Sequence, residues 1–231
     1  MSTSETTTAP GDIRPRLRWG VPAYVLLVLA AMAIAIVVPK TGYVLNISLQ
    51  ATTYAIAVLG LTIVLGLCGQ INLAQAAFFG LGAYAVGLGQ THYGVNFWVC
   101  LLIGTCVAAG FGALLGASTL RLGGHYLAMV TISFQQIVTL VLINWIPVTN
   151  GPDGVRAIPR PGFLSDGSIY LAFCIAALGT LGFLVWHLRD TRLGRAMRAV
   201  RDNELAAGVA GIDVYRTKVT AFALSAILGG I

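Results

Sequence analysis

Residues 41–120 contain no Asp, Glu, Lys or Arg, and none returns across residues 122–152. A water-soluble domain spreads charge over about a quarter of its residues, whereas only 10% of this chain is charged and 57% is hydrophobic. The apolar residues come in blocks close to the roughly 20 that an α-helix needs to cross a hydrocarbon layer. At that depth no water takes up backbone N–H and C=O groups, so blocks of this length must close their hydrogen bonds internally, as helices do. The sequence therefore predicts an all-α fold, a polytopic transmembrane helical bundle over residues 21–231.

The blocks place spanning segments at residues 21–38, 44–67, 71–90, 97–118, 125–146 and 169–187. A seventh begins at Val219 and stops at Ile231, too short to span, which reads as a truncated chain. Ala33-Ile34-Ala35 has the small-residue spacing of a signal-peptide cleavage site, but the apolar run continues to Val38 and reads as a retained anchor. Between the second and third segments stand only Cys68, Gly69 and Gln70, which suit either a tight turn or a re-entrant break.

Charge orients the bundle. Of the 14 Lys and Arg residues, Arg189, Arg192, Arg195, Arg198, Arg201, Arg216 and Lys218 fall in one loop, residues 189–218. Basic residues near membrane segments are retained on the cytoplasmic side, which places this loop, Arg121 and the N-terminus inside. Residues 1–20, Ser/Thr-rich and carrying Arg14, Arg16 and Arg18, read as a disordered cytoplasmic tail. Lys40, Arg156 and Arg160 remain outside. The net charge of +6 is this bias, with no nucleic-acid recognition motif beside it.

Polar groups inside the segments are neutral. Asn46, Gln50 and Thr53 share a helix face, as do Thr131, Gln135 and Thr139, and Asn72 pairs with Gln75 at three residues. Such stripes either join helices or line a path for a small polar solute, where fixed charges would hold a zwitterion too firmly. Ala76, Gly80, Ala83 and Gly87 form a small-residue face, and Gly112 and Gly116 a Gly-x-x-x-Gly pair, both suited to close helix packing. Cys68, Cys100, Cys106 and Cys174 and the dispersed His92, His125 and His187 make no ligand set, so no metal is expected. No phosphate-binding loop and no catalytic constellation occurs. The chain reads as neither an enzyme nor a nucleotide binder, and any ATP must be held by another subunit.

Two loops carry the remaining information. Residues 147–168 hold Pro147, Pro152, Pro159 and Pro161 with Asn150-Gly151 and Asp153-Gly154, a turn-rich outer loop that could dock a partner or merely connect. In the basic loop, residues 194–201 read as a helical extension of the sixth segment. Asp202-Asn203-Glu204 then caps a short helix over 205–210, with Gly211 as its stop.

Several blocks in order carry a resemblance: Gly69-Gln70-Ile71-Asn72-Leu73-Ala74-Gln75 continuing to Tyr84, Leu120-Arg121-Leu122-Gly123-Gly124-His125-Tyr126, Thr149 to Gly154, Ile158-Pro159-Arg160-Pro161, and Gly194 to Asp213. Together they resemble the permease subunits of ABC importers for branched-chain amino acids, a group that includes urea and short-amide importers. The resemblance implies a prokaryotic cytoplasmic-membrane subunit working with a sister permease, two ATPase subunits and an extracytoplasmic binding protein. It assigns Glu204, Leu205, Ala206, Ala207, Gly208 and Gly211 to the loop that couples to the ATPase, flanked by Arg195, Arg198 and Arg201. Thr149, Asn150, Gly151, Pro152, Asp153 and Gly154 would face the binding protein, and Gln70, Asn72 and Gln75 would lie beside the solute path. Gln136 and Thr139 stand where relatives often carry Glu and Arg, and Ala74 where Gly is common. A self-sufficient channel or facilitator is the alternative, and partner dependence separates the two.

Overall fold

The computed structural model describes residues 21–37, 42–119, 125–156, 158, 162 and 166–231. The expected tail at residues 1–20, together with Lys40, Arg121, Pro159, Arg160 and Pro161, lies outside them. The described residues are overwhelmingly helical and contain no strand: α1 (Val21–Val37), α2 (Gly42–Leu61) running on as a π-helical segment (Thr62–Leu67), α3 (Gln75–Tyr93), α4 (Phe97–Thr119), α5 (His125–Asn144), α6 (Ile146–Thr149), α7 (Gly167–Leu188), α8 (Arg192–Asp202), α9 (Glu204–Val209) and α10 (Val214–Gly230). Among them, Gly42–Leu67, Phe97–Ser118, His125–Asn144 and Gly167–Leu188 are long and apolar enough to cross a membrane. Large apolar side chains such as Leu26, Leu102, Leu114 and Leu184 are exposed on the outside, as suits a bundle whose solvent is lipid.

Local chemistry moves several boundaries. The expected segment over 125–146 stops at Asn144, and the chain restarts as the short α6, where Pro147 fits the first turn because its missing N–H is not needed there. The expected helical extension beyond the sixth segment is interrupted. Thr191 Oγ1 accepts the Gly194 N–H at 3.2 Å and starts α8 as a separate helix, while Gly194 lies hard against the last carbonyls of α7, with no room for a Cβ. The short helix over 205–210 forms one residue earlier, at Glu204–Val209. Asn203 Oδ1 caps it by accepting the Ala206 N–H at 3.0 Å, and Gly211 ends it at φ +83°, the left-handed conformation that favours glycine.

Packing centres on α10, which lies against α4, α3 and α2. Gly112 and Gly116 open α4 to α10: a Cβ at Gly112 would meet the Phe222 carbonyl at 2.9 Å, and one at Gly116 would meet Val219 Cα at 3.2 Å. On α3 the closest approaches fall at Gly82, against the Gly230 backbone, and at Gly89, against Cys100. The expected face of Ala76, Gly80, Ala83 and Gly87 packs more loosely, with Ala76 and Ala83 exposed. A helix this rich in small residues carries two candidate faces, and the position of α4 and α10 selects one. The buried core gathers Phe78, Phe222, Val64, Met197 and Val200 towards one end of the bundle, the end that carries α8 and α9. The opposite end carries α6.

Candidate functional site

The site grows out of the interruption between α2 and α3. Gly66 O at the end of α2 accepts from Arg201 Nη1 at 2.7 Å. Gly69, at φ +69°, then turns the chain so closely under the Arg201 stem that no Cβ would fit. Helix does not resume until Gln75, so the break spans residues 68–74 and is longer than the three residues expected. Non-helical backbone at this position is tolerated only if protein satisfies it. The Gln70 N–H donates to Val64 O at 3.0 Å, the Leu73 N–H to Thr131 Oγ1 at 3.2 Å and the Ala74 N–H to Asn72 Oδ1 at 2.9 Å.

Above the break, Gln75 ties three helices together. Its Nε2 donates to Ala57 O on α2 at 2.9 Å and to Ser225 O on α10 at 3.2 Å, and its Oε1 accepts from Ser225 Oγ at 2.9 Å. Below it, Glu204 at the start of α9 turns inward. Glu204 Oε1 accepts from Lys218 Nζ at 2.7 Å and from Gln70 Nε2 at 3.1 Å. Lys218 is only 5% exposed, so its ammonium is held by this carboxylate instead of by water. Ala207, Met197 and Val200 bury beside it against Cys68 and Val64. Cys68 lies just past the candidate span; burial pushes its thiol up to about 11, with Lys218 drawing it down and Glu204 raising it.

The loop thus has an inner and an outer face. Ala207 is buried and the half-exposed Glu204 reaches inward to Lys218 and Gln70, whereas Leu205 is 83% and Val209 92% exposed, one turn apart on α9. Ala206, Gly208 and Gly211 are exposed with them, as is Arg195, and Arg198 is half-buried. The short helix thus presents two bare aliphatic side chains on a base bonded into the bundle.

The neutral polar residues separate into two groups. Gln70, Asn72, Gln75 and Thr131 converge on the break and bond to protein. Asn46 and Gln50 are exposed on α2, Thr139 is exposed on α5 and donates to Gln135 O at 2.9 Å, and Gln135 is half-buried. Thr53 borders a cavity of about 250 Å³ between α2, α3, α4, α7 and the end of α10, otherwise lined by groups such as Phe79, Val86 and Tyr170. The structure does not bring the three expected stripes to one surface.

At the other end, Thr149 is buried, its Oγ1 lying 2.7 Å from Leu142 O and 2.9 Å from Trp145 O and accepting the Gly151 N–H at 3.3 Å. Asn150, at φ 63°, donates to Gly154 O at 3.2 Å. Pro152 and Asp153 are exposed, and Arg156 pairs with Asp153 at 3.0 Å. A cavity of about 290 Å³ lies here, with Thr91, His92, Pro147, Asn150, Gly154 and Arg156 on its wall. Among the described residues no group of three or more His, Cys, Asp or Glu is placed to hold a metal ion.

Sequence reasoning missed Lys218, Ser225 and Gly66 as members of the site. Lys218 read as one of seven loop cations, although its place at the threshold of the apolar run from Val219 is a signal that it enters the bundle.

Comparison with known proteins gives a family match. The family model described as "Branched-chain amino acid transport system / permease component" matches residues 43–231. The chain is 33% identical to the high-affinity branched-chain amino acid transport system permease protein LivM of Salmonella typhimurium, covering 96% of this chain and 59% of that protein. It is equally identical to LivM of Escherichia coli, over 98% and 60%. The ribose import permease protein RbsC of Haemophilus influenzae is 26% identical over 90% of this chain and 66% of its own length. The chain therefore spans about 60% of the length of the LivM proteins it matches. No solved structure matches it.

Proposed function

We propose, from the premise that this chain belongs to the family of permease components of branched-chain amino acid transport systems, that it is a membrane-spanning subunit of an ATP-driven importer. Its solute is a branched-chain amino acid or a similar small polar molecule delivered by an extracytoplasmic binding protein. The partners are a sister permease and two ATPase subunits, which hold the nucleotide; the chain itself carries no cofactor and performs no bond chemistry. Its home is the prokaryotic cytoplasmic membrane, with residues 189–218 inside and 147–168 outside. The family is one of membrane transport, and the ribose permease among the relatives keeps the solute a matter for measurement.

The observation that carries the reading is the seating of α9: Leu205 and Val209 point away from the bundle while Glu204 on the same short helix is fixed to Lys218 and Gln70. Closure of the ATPases would press on the exposed pair. Because α9 is joined to α10 and to the 68–74 break, the displacement passes to Gln75 and so to α2, α3 and α10, a two-state shift of packed helices. Arg201, bonded to Gly66 O, adds a second link from the loop to α2.

The test is co-purification of a tagged full-length protein from its native membrane beside a Leu205→Arg, Val209→Arg variant. An ATPase should accompany the parent and be lost from the variant. A parent that came out alone in mild detergent and moved solute in liposomes without ATP would be a facilitator, and the importer reading would fail.

A further inference from the structure

The seven basic residues of the 189–218 loop divide into two sets. Arg201, Arg216 and Lys218 each meet a carboxylate, on Asp202, Asp213 and Glu204. Among the described residues, Arg189, Arg192, Arg195 and Arg198 meet none. These four gather at the end of one candidate span: α7 closes at Leu188, Arg189 follows it, and the other three recur at every third residue along α8. Arg195 Nη1 donates to Asp190 O, and Arg198 Nη2 to Arg189 O at 3.2 Å, so both guanidiniums fold back onto the turn that follows α7. Backbone carbonyls hold the forks in place but leave their charge uncompensated. Arg198 Nε is shut off from solvent with no acceptor at all, a costly state for a charged donor. Trp186 and Leu193 are exposed on either side, and Trp is a residue type enriched at the boundary between hydrocarbon and headgroups.

We propose that Arg189, Arg192, Arg195 and Arg198 bind the phosphate of an anionic phospholipid headgroup at the cytoplasmic face. A guanidinium fork matches phosphate oxygens two at a time, and a basic cluster directly beyond a span lies where anionic headgroups are concentrated. A free phosphate shares this chemistry, but the cluster's place at the membrane boundary favours the lipid. The inference rests on the chain spanning a membrane and not on its coupling to an ATPase. It gives Arg195 and Arg198 a ligand other than the ATPase partner that the sequence resemblance implied.

The experiment uses the full-length protein, purified in mild detergent with the subunits that accompany it and exchanged into mixed micelles of phosphatidylcholine with phosphatidylglycerol. The lipid retained after washing is then counted by native mass spectrometry. The parent should retain phosphatidylglycerol over phosphatidylcholine. An Arg195→Gln, Arg198→Gln variant should retain roughly tenfold less of it, while Arg216→Gln, which removes a cation from the same loop, should behave as the parent. Millimolar inorganic phosphate should leave retention unchanged. Should the double variant fail to assemble, Arg192→Gln, whose side chain has no partner among the described residues, should still lower retention about threefold. Parent-like retention by these Arg variants overturns the proposal. Displacement of the lipid by phosphate would make the ligand a soluble anion. Loss of the ATPase from the double variant with lipid retention intact would assign the cluster to the protein partner, again overturning it.

Discussion

The two ends of the bundle both leave helical order, yet they are held in opposite ways. At the end carrying α9 the polar bonds are long-range: Gln70 to Glu204, Arg201 to Gly66 and Gln75 to Ser225 each join residues more than 130 positions apart. At the α6 end, Thr149 bonds to Leu142 and Trp145, Asn150 to Gly154, and Arg156 to Asp153, all within seven positions. A locally bonded cap can rearrange without disturbing the helices beneath it. An end bonded across the whole sequence cannot move without moving α2, α3 and α10. On the proposed function, the difference suits an outer loop that adapts to a docked protein and an inner loop that transmits force.

The sharpest way to break this contrast is Lys218→Met. Glu204 would lose the cation that balances it, and removing one partner of a fully buried pair costs about 3–5 kcal/mol. Glu204 is about half exposed, so a cost of roughly 2 kcal/mol is expected here. Because Leu205 and Val209 remain, the ATPase of the proposed function should still be recovered, while solute uptake falls about tenfold or more. Hydrogen exchange should rise across residues 60–75 and stay unchanged at 142–151. Unchanged uptake would remove the ion pair from the transmission path.

Gln75→Leu comes next. It deletes the bonds to Ala57 and Ser225, and at about 0.6 kcal/mol per interhelical contact within a membrane the loss is on the order of 2 kcal/mol. Denaturation in detergent should show a global shift. A shift confined to α3 would mean that the three helices are not joined through this side chain.

Cys68 reports on the same end without changing it. A thiol ordinarily near 9 is pushed to about 11 by burial, and the thiolate is the form that alkylates. Maleimide labelling at pH 8 should therefore be slow in the resting protein; in Lys218→Met the lost cation alone would slow it further, so faster labelling there would report that the seat of α9 has opened to water. The sign for stability follows. With its folded pKa raised, Cys68 favours the folded state below pH 9 and loses that contribution as pH climbs through 11. Rapid labelling of the resting parent would show the seat of α9 to be open already.

Much of this fold was legible because its causes are local. Hydrophobic block lengths placed the four helices long and apolar enough to span, though not the expected segments at 21–38 and 71–90, which are not among those four; Asn203 and Gly211 marked the ends of α9 by their own backbone preferences. The site was less legible for the same reason. Asn72 and Gln75 carry a polar signal, but nothing in their spacing says whether they meet a solute or Ser225, which lies 150 positions away. Lys218 looked like its six basic neighbours until α10 was seen to start at Val214, drawing it below the surface. The interruption at residues 189–191 depends on Gly194 touching the end of α7, a contact that no helical propensity records.

At the outer end the expected effects are smaller. Thr149→Val removes a buried hydroxyl that bridges α5 and α6 and should cost about 1 kcal/mol, raising exchange across residues 142–151 alone. Asp153→Asn should do least. The Asp153 and Arg156 side chains are 71% and 76% exposed, and exposed pairs of this kind contribute about 0.2–1 kcal/mol at most, less as salt rises. Neither stability nor exchange elsewhere should change. Binding of the extracytoplasmic protein that the proposed function calls for is the more telling readout, because a rim charge acts chiefly on the association rate and its salt dependence. If Asp153→Asn slows association at low salt and leaves hydrogen exchange untouched, the outer cap is a docking surface that acts independently of the helices. If exchange at residues 60–75 moves with it, the two ends are coupled even at rest, and the contrast between a local cap and a transmitting base fails.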